Sequence, residues 1–311
     1  MKKLAAFVIV GIGVVVAPQL VYPAFVMQIF CFILFAAAFN LLLGYAGLLS
    51  FGHAAFFGGA AYITGYVIKM WGYPPLLGIL AGVLFSAVLG LVFGVLALRR
   101  RGIYFAMITL ALAQVIYFSA VQLPFTGGEN GLQSIPRGML FGLIDLSRPA
   151  CIYYTVVAVV GAGLFGIYRI VNSPFGVALT ASREDEGRAI SLGYDVKRLQ
   201  LIAFVLSASF SGLAGAVKVL VFQFASLTDV HWMMSGDVVI MTVLGGIGNL
   251  LGPIVGASVV IAMQQHLDFM GSWIEVVIGL IMGSCILIFR HGIVGEIARL
   301  FGRRGLAARN G

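Results

Sequence analysis

The sequence predicts an all-α polytopic membrane protein with about ten transmembrane helices, and three observations carry that prediction. Of its 311 residues, 61% are hydrophobic and only 10% charged, with a mean hydropathy of +1.08. A soluble domain is about half apolar and about a quarter charged. The apolar residues form long continuous runs, which suit membrane helices of about 20 residues and not the alternating strands of a barrel. Finally, the charges sit in short clusters between the runs, where they set orientation. The net charge of +8 is therefore a topology signal and not the footprint of a nucleic-acid binder.

Apolar runs between breakers give ten segments, at about 4–21, 24–43, 54–70, 76–98, 102–122, 149–170, 199–221, 236–247, 252–267 and 272–289. They belong to one membrane domain spanning 1–311. The start, MKKLAAFVIVGIGVVVAPQLVY, has the charge and apolar run of a signal peptide. No small-x-small cleavage site follows it, so it is read as a retained first helix. With N and C termini cytoplasmic, 15 of the 19 Lys and Arg residues fall on the inner side, as the positive-inside rule requires. Residues 123–148 then form an external loop, whose Gly and Pro content indicates a folded loop without a helix. Residues 172–198 form the most charged loop, on the cytoplasmic side, and 290–311 a basic cytoplasmic tail.

Several chemistries lack their residues. None of the five lysines is followed by Ser or Thr, so there is no phosphate-cradling G-x-x-x-x-G-K-[ST] loop. The stretch GGIGNLLG has the wrong spacing for a dinucleotide fingerprint and no βαβ context. The first acidic residue is Glu129, which gives ion-coupled transport little support, because intramembrane carboxylates commonly bind a driving ion. Asp237, Asp268 and Glu275 are the carboxylates nearest to membrane depth. Asp237, at the start of the eighth segment, is either a helix cap or a substrate contact. His53, His231, His266 and His291 are scattered without partners at ligand spacing. Cys31, Cys151 and Cys285 read as small hydrophobes within apolar runs. The expectation is a chain that is not an enzyme, with no catalytic residue, metal or bound cofactor.

Two glycine-rich stretches stand out. In GYAGLLSFGHAAFFGGAAY, residues 44–62, Gly58 and Gly59 suit close helix packing. The cluster Gly44, Gly47, Ser50, Gly52 and His53 suggests a broken or re-entrant helix, since glycine costs about 1 kcal/mol relative to alanine in a helix interior. His53 itself is a packing residue in one reading and a pathway residue in the other. The second half carries TVLGGIGNLLGPIVGA, with Gly245, Gly246, Gly248, Asn249, Gly252 and Pro253. Paired interruptions in two halves of a membrane chain point to a central pathway. The candidate pathway residues are Gly44, Gly47, Ser50, Gly52, His53, Asp237, Gly245, Gly246 and Asn249.

In the charged loop, Ser173 is a candidate N-cap with Pro174 at the first helical position. After Ser182, the run Arg183, Glu184, Asp185 and Glu186 is expected to begin a second short helix, with acids in its first turn. That helix turns apolar at Ala189, Ile190 and Leu192 and stops at Gly193. Apolar residues on a short helix facing the cytoplasm suit docking into a partner, the alternative being a solvated charged loop.

These stretches in order, GYAGLLSFGHAAFFGGAAY, SPFGVALTASREDEGRAISLGYDVKRLQLIAFVLSASFSGLAGAV, VLGGIGNLLGPIVGA and ILIFRHGIVG, resemble the branched-chain amino acid ABC transporter permeases of the LivM type. The resemblance implies a permease subunit that imports Leu, Ile, Val or similar solutes across a bacterial inner membrane. It further implies a second, LivH-like permease subunit, two cytoplasmic ATPases that use the ATP, and a periplasmic substrate-binding protein. The loop helix becomes the coupling helix, with Arg183, Glu184, Asp185, Glu186, Ala189, Ile190, Leu192 and Gly193 at the ATPase. ABC importers commonly carry Glu-Ala-Ala, three residues, then Gly at this point; here Gly187-Arg188-Ala189 precedes Gly193, with Glu186 one position early. Urea and short amides are alternative substrates. A stand-alone secondary transporter and a membrane anchor are the readings from other classes.

Overall fold

The computed structural model describes residues 22–140, 144–267, 271, 276–280, 283–284 and 292–296. The expected first helix at 4–21, Asp268, Glu275, most of the tenth segment and most of the basic tail lie outside the described residues. Helix α1 (Pro23–Asn40) runs into a π-helical turn, Leu41–Ala46. There follow α2 (His53–Trp71), α3 (Pro75–Ala97), α4 (Ile103–Gln122), α5 (Pro149–Val171), α6 (Pro174–Glu184), α7 (Glu186–Ser191), α8 (Val196–Phe222), α9 (Trp232–Gly245) and α10 (Gly252–Leu267). Proline opens α1, α3, α5 and α6, where its missing N–H forfeits nothing. Among the described residues, five helices are long and apolar enough to cross a membrane: α1 with its π turn, α3, α4, α5 and α8. The chain is an all-α polytopic membrane protein.

Helix α8 is the centre, packed against α1, α2 and α3, while α5 and α10 pack on α1, and α9 on α10. The hydropathic windows of α1 and α8 are 72% and 67% buried; those of α3, α4 and α5 are 28–33% buried. The outer helices show Leu77, Leu80, Leu84, Val88, Val115, Phe118 and Phe165 outward, as lipid contact requires. Their inner faces are marked by small size and not by greater apolarity. On α3, Gly78, Gly82, Ser86, Gly90 and Gly94 recur every fourth residue and are buried. A Cβ at Gly82 would lie 2.8 Å from the Ala60 carbonyl of α2, and one at Gly94 2.6 Å from Leu201 of α8. In lipid, such close approach holds helices together in place of the hydrophobic effect.

Side-chain contacts sort the loops to two ends. Arg101, after α3, pairs with Glu186 of α7 at 2.5 Å, so the 98–102 and 172–195 loops share one end. At the other, Lys69 reaches the Gln133 carbonyl at 2.7 Å, and residues 132–137 are strapped to the end of α8. Leu132 and Ala225 exchange backbone hydrogen bonds of 3.0 and 2.9 Å, and Arg137 donates to the Leu220 and Val221 carbonyls at 3.2 and 2.7 Å. Residues 123–148 contain two 3-10 turns and a hairpin, β1 (Met139–Leu140) with β2 (Ile144–Asp145). Among its described residues this is a folded loop without an α-helix.

Three local expectations are corrected. The eighth segment begins at Trp232 and not 236, because His231 caps it by accepting from the Met233 N–H at 3.5 Å. Asp237 therefore lies in the second turn of α9, past the N-cap position. The loop helices divide at Asp185 and not after Ser182: Arg183 and Glu184 finish α6, and the Asp185 carboxylate caps α7 by accepting from the Arg188 N–H at 3.0 Å. The glycine stretches are reversals between antiparallel neighbours. Phe35 of α1 stacks on Phe57 of α2 at 4.5 Å and Phe39 on His53 at 4.8 Å, which sets the two helices side by side with residues 47–52 as the turn. Residues 246–251 turn α9 into α10 in the same way, with Gly256 pressed on the Met241 carbonyl.

Candidate functional site

The two glycine reversals meet at the end that carries α6 and α7. Asn40, in the last turn of α1, accepts from the Gly248 N–H at 3.0 Å through Oδ1. Its Nδ2 donates to the Asn249 carbonyl at 3.0 Å. One buried amide thus bridges the α1–α2 turn to the α9–α10 turn. The approach depends on glycine: a Cβ at Gly44 would lie 2.7 Å from the Gly248 nitrogen, and Gly248 itself has φ +76°. The π-helical register of Leu41–Ala46 widens the end of α1 there; such irregular turns recur at functional sites.

Arg183 enters this junction from α6. Its Nη1 donates to the Gly44 carbonyl, a group that the ending helix leaves free. Gly47, at φ +72°, makes room, since a Cβ there would lie 2.9 Å from the Arg183 Cγ. Sequence reasoning assigned Arg183 to an external partner; its guanidinium turns inward instead. Asn40 went unnoticed, although a lone amide in the apolar run FAAAFNLLLG is the kind of intramembrane polar group that marks a working position.

Ser50, Gly52 and His53 do a different job. The Ser50 hydroxyl accepts from the Gly52 N–H at 3.2 Å, Thr109 of α4 from the Phe51 N–H at 3.1 Å, and Ser235 of α9 from the Ala54 N–H at 2.9 Å. Three amides at and just before the start of α2 thereby find side-chain acceptors within the protein, as a lipid setting demands. His53 is fully buried among Phe39, Phe56 and Phe204. Its Nε2 meets Ser207 Oγ at 2.8 Å, and Ser207 in turn donates to the Ala38 carbonyl at 2.6 Å. These three residues lock α1, α2 and α8 together. Gly245 and Gly246 lie at the second reversal, where Gly245 presses on the Gly252 carbonyl and Gly246 has φ +119°.

The charged loop presents an apolar patch. Ser173 caps α6 by accepting from the Gly176 N–H at 3.4 Å, and Gly193, at φ +88°, ends α7. Ile190 and Leu192 are 57% and 71% exposed, with Val177 and Tyr194 also outward. Ala189, expected among the exposed apolar residues, is buried at 4%, because α7 packs that side against the protein. Beside the first reversal, a groove of about 440 Å³ lies between Gly47–Phe51 and the first turns of α4. Its lining is almost wholly apolar.

At the opposite end the structure holds a charge pair that sequence reasoning did not assemble. Lys218 of α8 is ion-paired with Asp229, which sits in a 3-10 turn, Leu227–Asp229. Both are shielded, with side chains 15% and 3% exposed. The ammonium also lies 5.6 Å from the Phe57 ring centroid and 6.0 Å from those of Phe32 and Phe222, within cation–π range. The available signal was a lysine one turn inside an apolar run, with an acid eleven residues on.

A many-helix membrane bundle with a charged helical loop at one end and a strapped loop at the other is the architecture of a polytopic membrane protein. The family described as "Branched-chain amino acid transport system / permease component" matches residues 22–287, and this chain belongs to that family. It is 30% identical over 263 residues to the high-affinity branched-chain amino acid transport system permease protein LivM of Escherichia coli, covering 75% of this chain and 60% of that protein. It is 24% identical over 213 residues to a probable branched-chain amino acid transport permease protein LivH of Methanocaldococcus jannaschii, covering 64% and 65%. It is 25% identical over 239 residues to the fructose import permease protein FrcC of Rhizobium meliloti, covering 72% and 65%. The match thus spans about three fifths of the LivM protein's own length. No solved structure matches significantly.

Proposed function

We propose that this chain is one membrane-spanning permease subunit of an ATP-binding-cassette importer for branched-chain amino acids. A second, LivH-like permease subunit completes the conduit in the bacterial inner membrane. Two cytoplasmic ATPases hydrolyse the ATP, and a periplasmic binding protein delivers Leu, Ile or Val. In this reading the chain supplies the conduit, and no catalytic residue, cofactor or metal is assigned to it. Its two termini, the tail at 290–311 and the Arg101–Glu186 end face the cytoplasm, and residues 123–148 face outward.

The observation that supports this reading best is the route from loop to pathway. Ile190 and Leu192 offer an ATPase groove two exposed apolar side chains on a short helix. Asp185 caps its start, and Arg183, beside Glu184 at the end of α6, grips the Gly44 carbonyl. A displacement of α6 and α7 by the ATPases therefore pulls on the junction of Asn40, Gly44, Gly248 and Asn249. That junction acts as the inner gate, and its opening is a switch between two packed arrangements. Gly47, Gly245 and Gly246 shape it; Ser50, Gly52 and His53 anchor α2 beside it, and Asp237 lies on α9, the helix that leads into it. The family name of the LivM and LivH relatives favours branched-chain substrates, while FrcC makes the solute a matter for measurement.

The test is reconstitution in proteoliposomes with both permeases, both ATPases and the binding protein. ATP-dependent uptake of leucine, isoleucine and valine is expected, with urea and fructose excluded. Uptake by this chain alone under an ion gradient would replace the importer with a secondary transporter. Single cysteines replacing Arg100 and Gly128 should label from opposite faces of the membrane; same-face labelling would overturn the proposed orientation.

A further inference from the structure

We propose that Lys218, Asp229 and Tyr62 form the outer recognition site for the amino acid's zwitterionic head, with Phe32 and Phe57 receiving its branched side chain. The proposal rests on the amino-acid reading above. It starts from polar atoms that have no partner among the described residues. Asp229 Oδ2 and the Tyr62 hydroxyl are both buried without a hydrogen bond. Unsatisfied buried groups of this kind cost about 1–3 kcal/mol each, so two of them beside one ion pair call for an explanation. Tyr62 lies on α2 one turn past Gly58, against which the Asp229–Val230 backbone packs. Gly58, one turn earlier on α2, brings them together: a Cβ there would lie 2.6 Å from the Val230 nitrogen and 2.7 Å from the Asp229 carbonyl carbon.

The chemistry fits one class of ligand. An amino acid brings a carboxylate and an ammonium joined by one carbon, with no net charge. Its carboxylate takes the place of Asp229 against Lys218, and its ammonium meets Asp229 and the Tyr62 oxygen. One ion pair becomes two, and no charge is left buried alone. A ligand with only one of the two charges would strand either Lys218 or Asp229 in an apolar site, where unpaired ions are strongly unfavourable. The site thus rejects simple amines and acids by the same groups that accept the zwitterion. The phenyl rings near the ammonium supply the apolar wall. The strap of residues 132–137 is bonded to the end of α8 and packs against Gly65, three residues past Tyr62 on α2.

The experiment uses the assembled permease–ATPase complex in nanodiscs, without the binding protein. Equilibrium binding of radiolabelled leucine is competed by isoamylamine, which lacks the carboxylate, and by 4-methylpentanoate, which lacks the ammonium. Wild type is expected to favour leucine over both by at least about tenfold. Asp229→Asn should weaken leucine at least about tenfold and relax rejection of 4-methylpentanoate; Lys218→Met should weaken leucine equally and relax rejection of isoamylamine. Lys218→Arg should retain binding. Unchanged leucine binding in both variants overturns the proposal. So does full recovery of binding and selectivity in the swapped pair K218D/D229K, which keeps the ion pair and reverses its sense. Should either single variant fail to assemble, Tyr62→Phe decides: leucine about threefold weaker is expected, and unchanged affinity overturns the assignment. A wild-type transporter that imports urea or fructose and holds no leucine would instead sink the amino-acid reading from which this site follows.

Discussion

The two ends of the bundle are closed by different forces. At the Arg101–Glu186 end, α1–α2 and α9–α10 are joined by neutral groups, the Asn40 amide to Gly248 and Asn249. At the opposite end, closure rests on charge: Lys218 on Asp229, Arg137 on the α8 carbonyls, Lys69 on Gln133. Neutral hydrogen bonds contribute about 0.5–1.5 kcal/mol each and can be exchanged without stranding a charge. Removing one partner of a buried ion pair costs about 3–5 kcal/mol. The neutral junction is therefore suited to opening by a mechanical pull, and the charged one to opening only when a ligand supplies replacement charges. Arg183, whose guanidinium reaches the Gly44 carbonyl at this junction, comes from the loop that would deliver the pull.

The largest effect should come from filling the neutral junction. Gly44→Leu drives side-chain atoms into Gly248, whose nitrogen would already be 2.7 Å from a Cβ. Overpacking of this kind costs about 1–3 kcal/mol, so uptake should fall at least about tenfold while the protein still inserts. Gly161→Leu on α5 is the control, since a Cβ there meets nothing within 4 Å; its uptake should stay at wild-type level. Equal uptake in both variants would remove the gate from the Gly44 junction.

Next comes Arg183→Ala. Loss of a charged hydrogen bond to the Gly44 carbonyl is worth about 1.5–3 kcal/mol, so uptake should drop roughly tenfold. ATP hydrolysis should continue and lose its response to substrate. Arg183→Lys should recover part of the uptake, since a lysine reaches as a point charge and not as a planar fork. Substrate-responsive hydrolysis in Arg183→Ala would break the link between loop and junction.

These two predictions concern what the sequence showed least. Helix positions were legible, because prolines at 23, 75, 149 and 174 and glycines at 72 and 193 punctuate the runs. Direction within the bundle was not. Lipid is as apolar as the core, so a membrane helix carries little amphipathic signal; Leu84 and Phe93 of α3 are equally oily, yet one faces out and the other is buried. The legible clue was small size, as in the stripe Gly78, Gly82, Ser86, Gly90 and Gly94. Both glycine reversals could be located in the sequence, but their meeting through Asn40 joins residues more than 200 positions apart, and no local pattern encodes it. The inward turn of Arg183 likewise followed from one helix boundary lying two residues later than the acidic run suggested.

A smaller effect separates the two faces of α7. Ile190→Asp and Leu192→Asp place a charge on exposed apolar residues and should weaken ATPase retention about tenfold each, as loss of interface anchors does. Thermal stability of the permease should stay unchanged. Ala189→Asp, at a buried position, should lower stability first and ATPase retention only as a consequence. Pull-down yield set against melting temperature distinguishes the cases, and the same profile in all three variants would mean that α7 has no docking face.

The smallest effect should come from Arg101→Gln. Its pair with Glu186 is the shortest charged contact to α7, at 2.5 Å, but the arginine side chain is 65% exposed. Exposed ion pairs contribute about 0–1 kcal/mol because water and salt screen them. Uptake should therefore change by less than about twofold, and Glu186→Gln should behave alike. If Arg101→Gln instead matched the loss in Arg183→Ala, the pull on the bundle would run through the α3–α4 loop as well as through α6. The neutral junction would then be one of two routes by which α7 moves the helices.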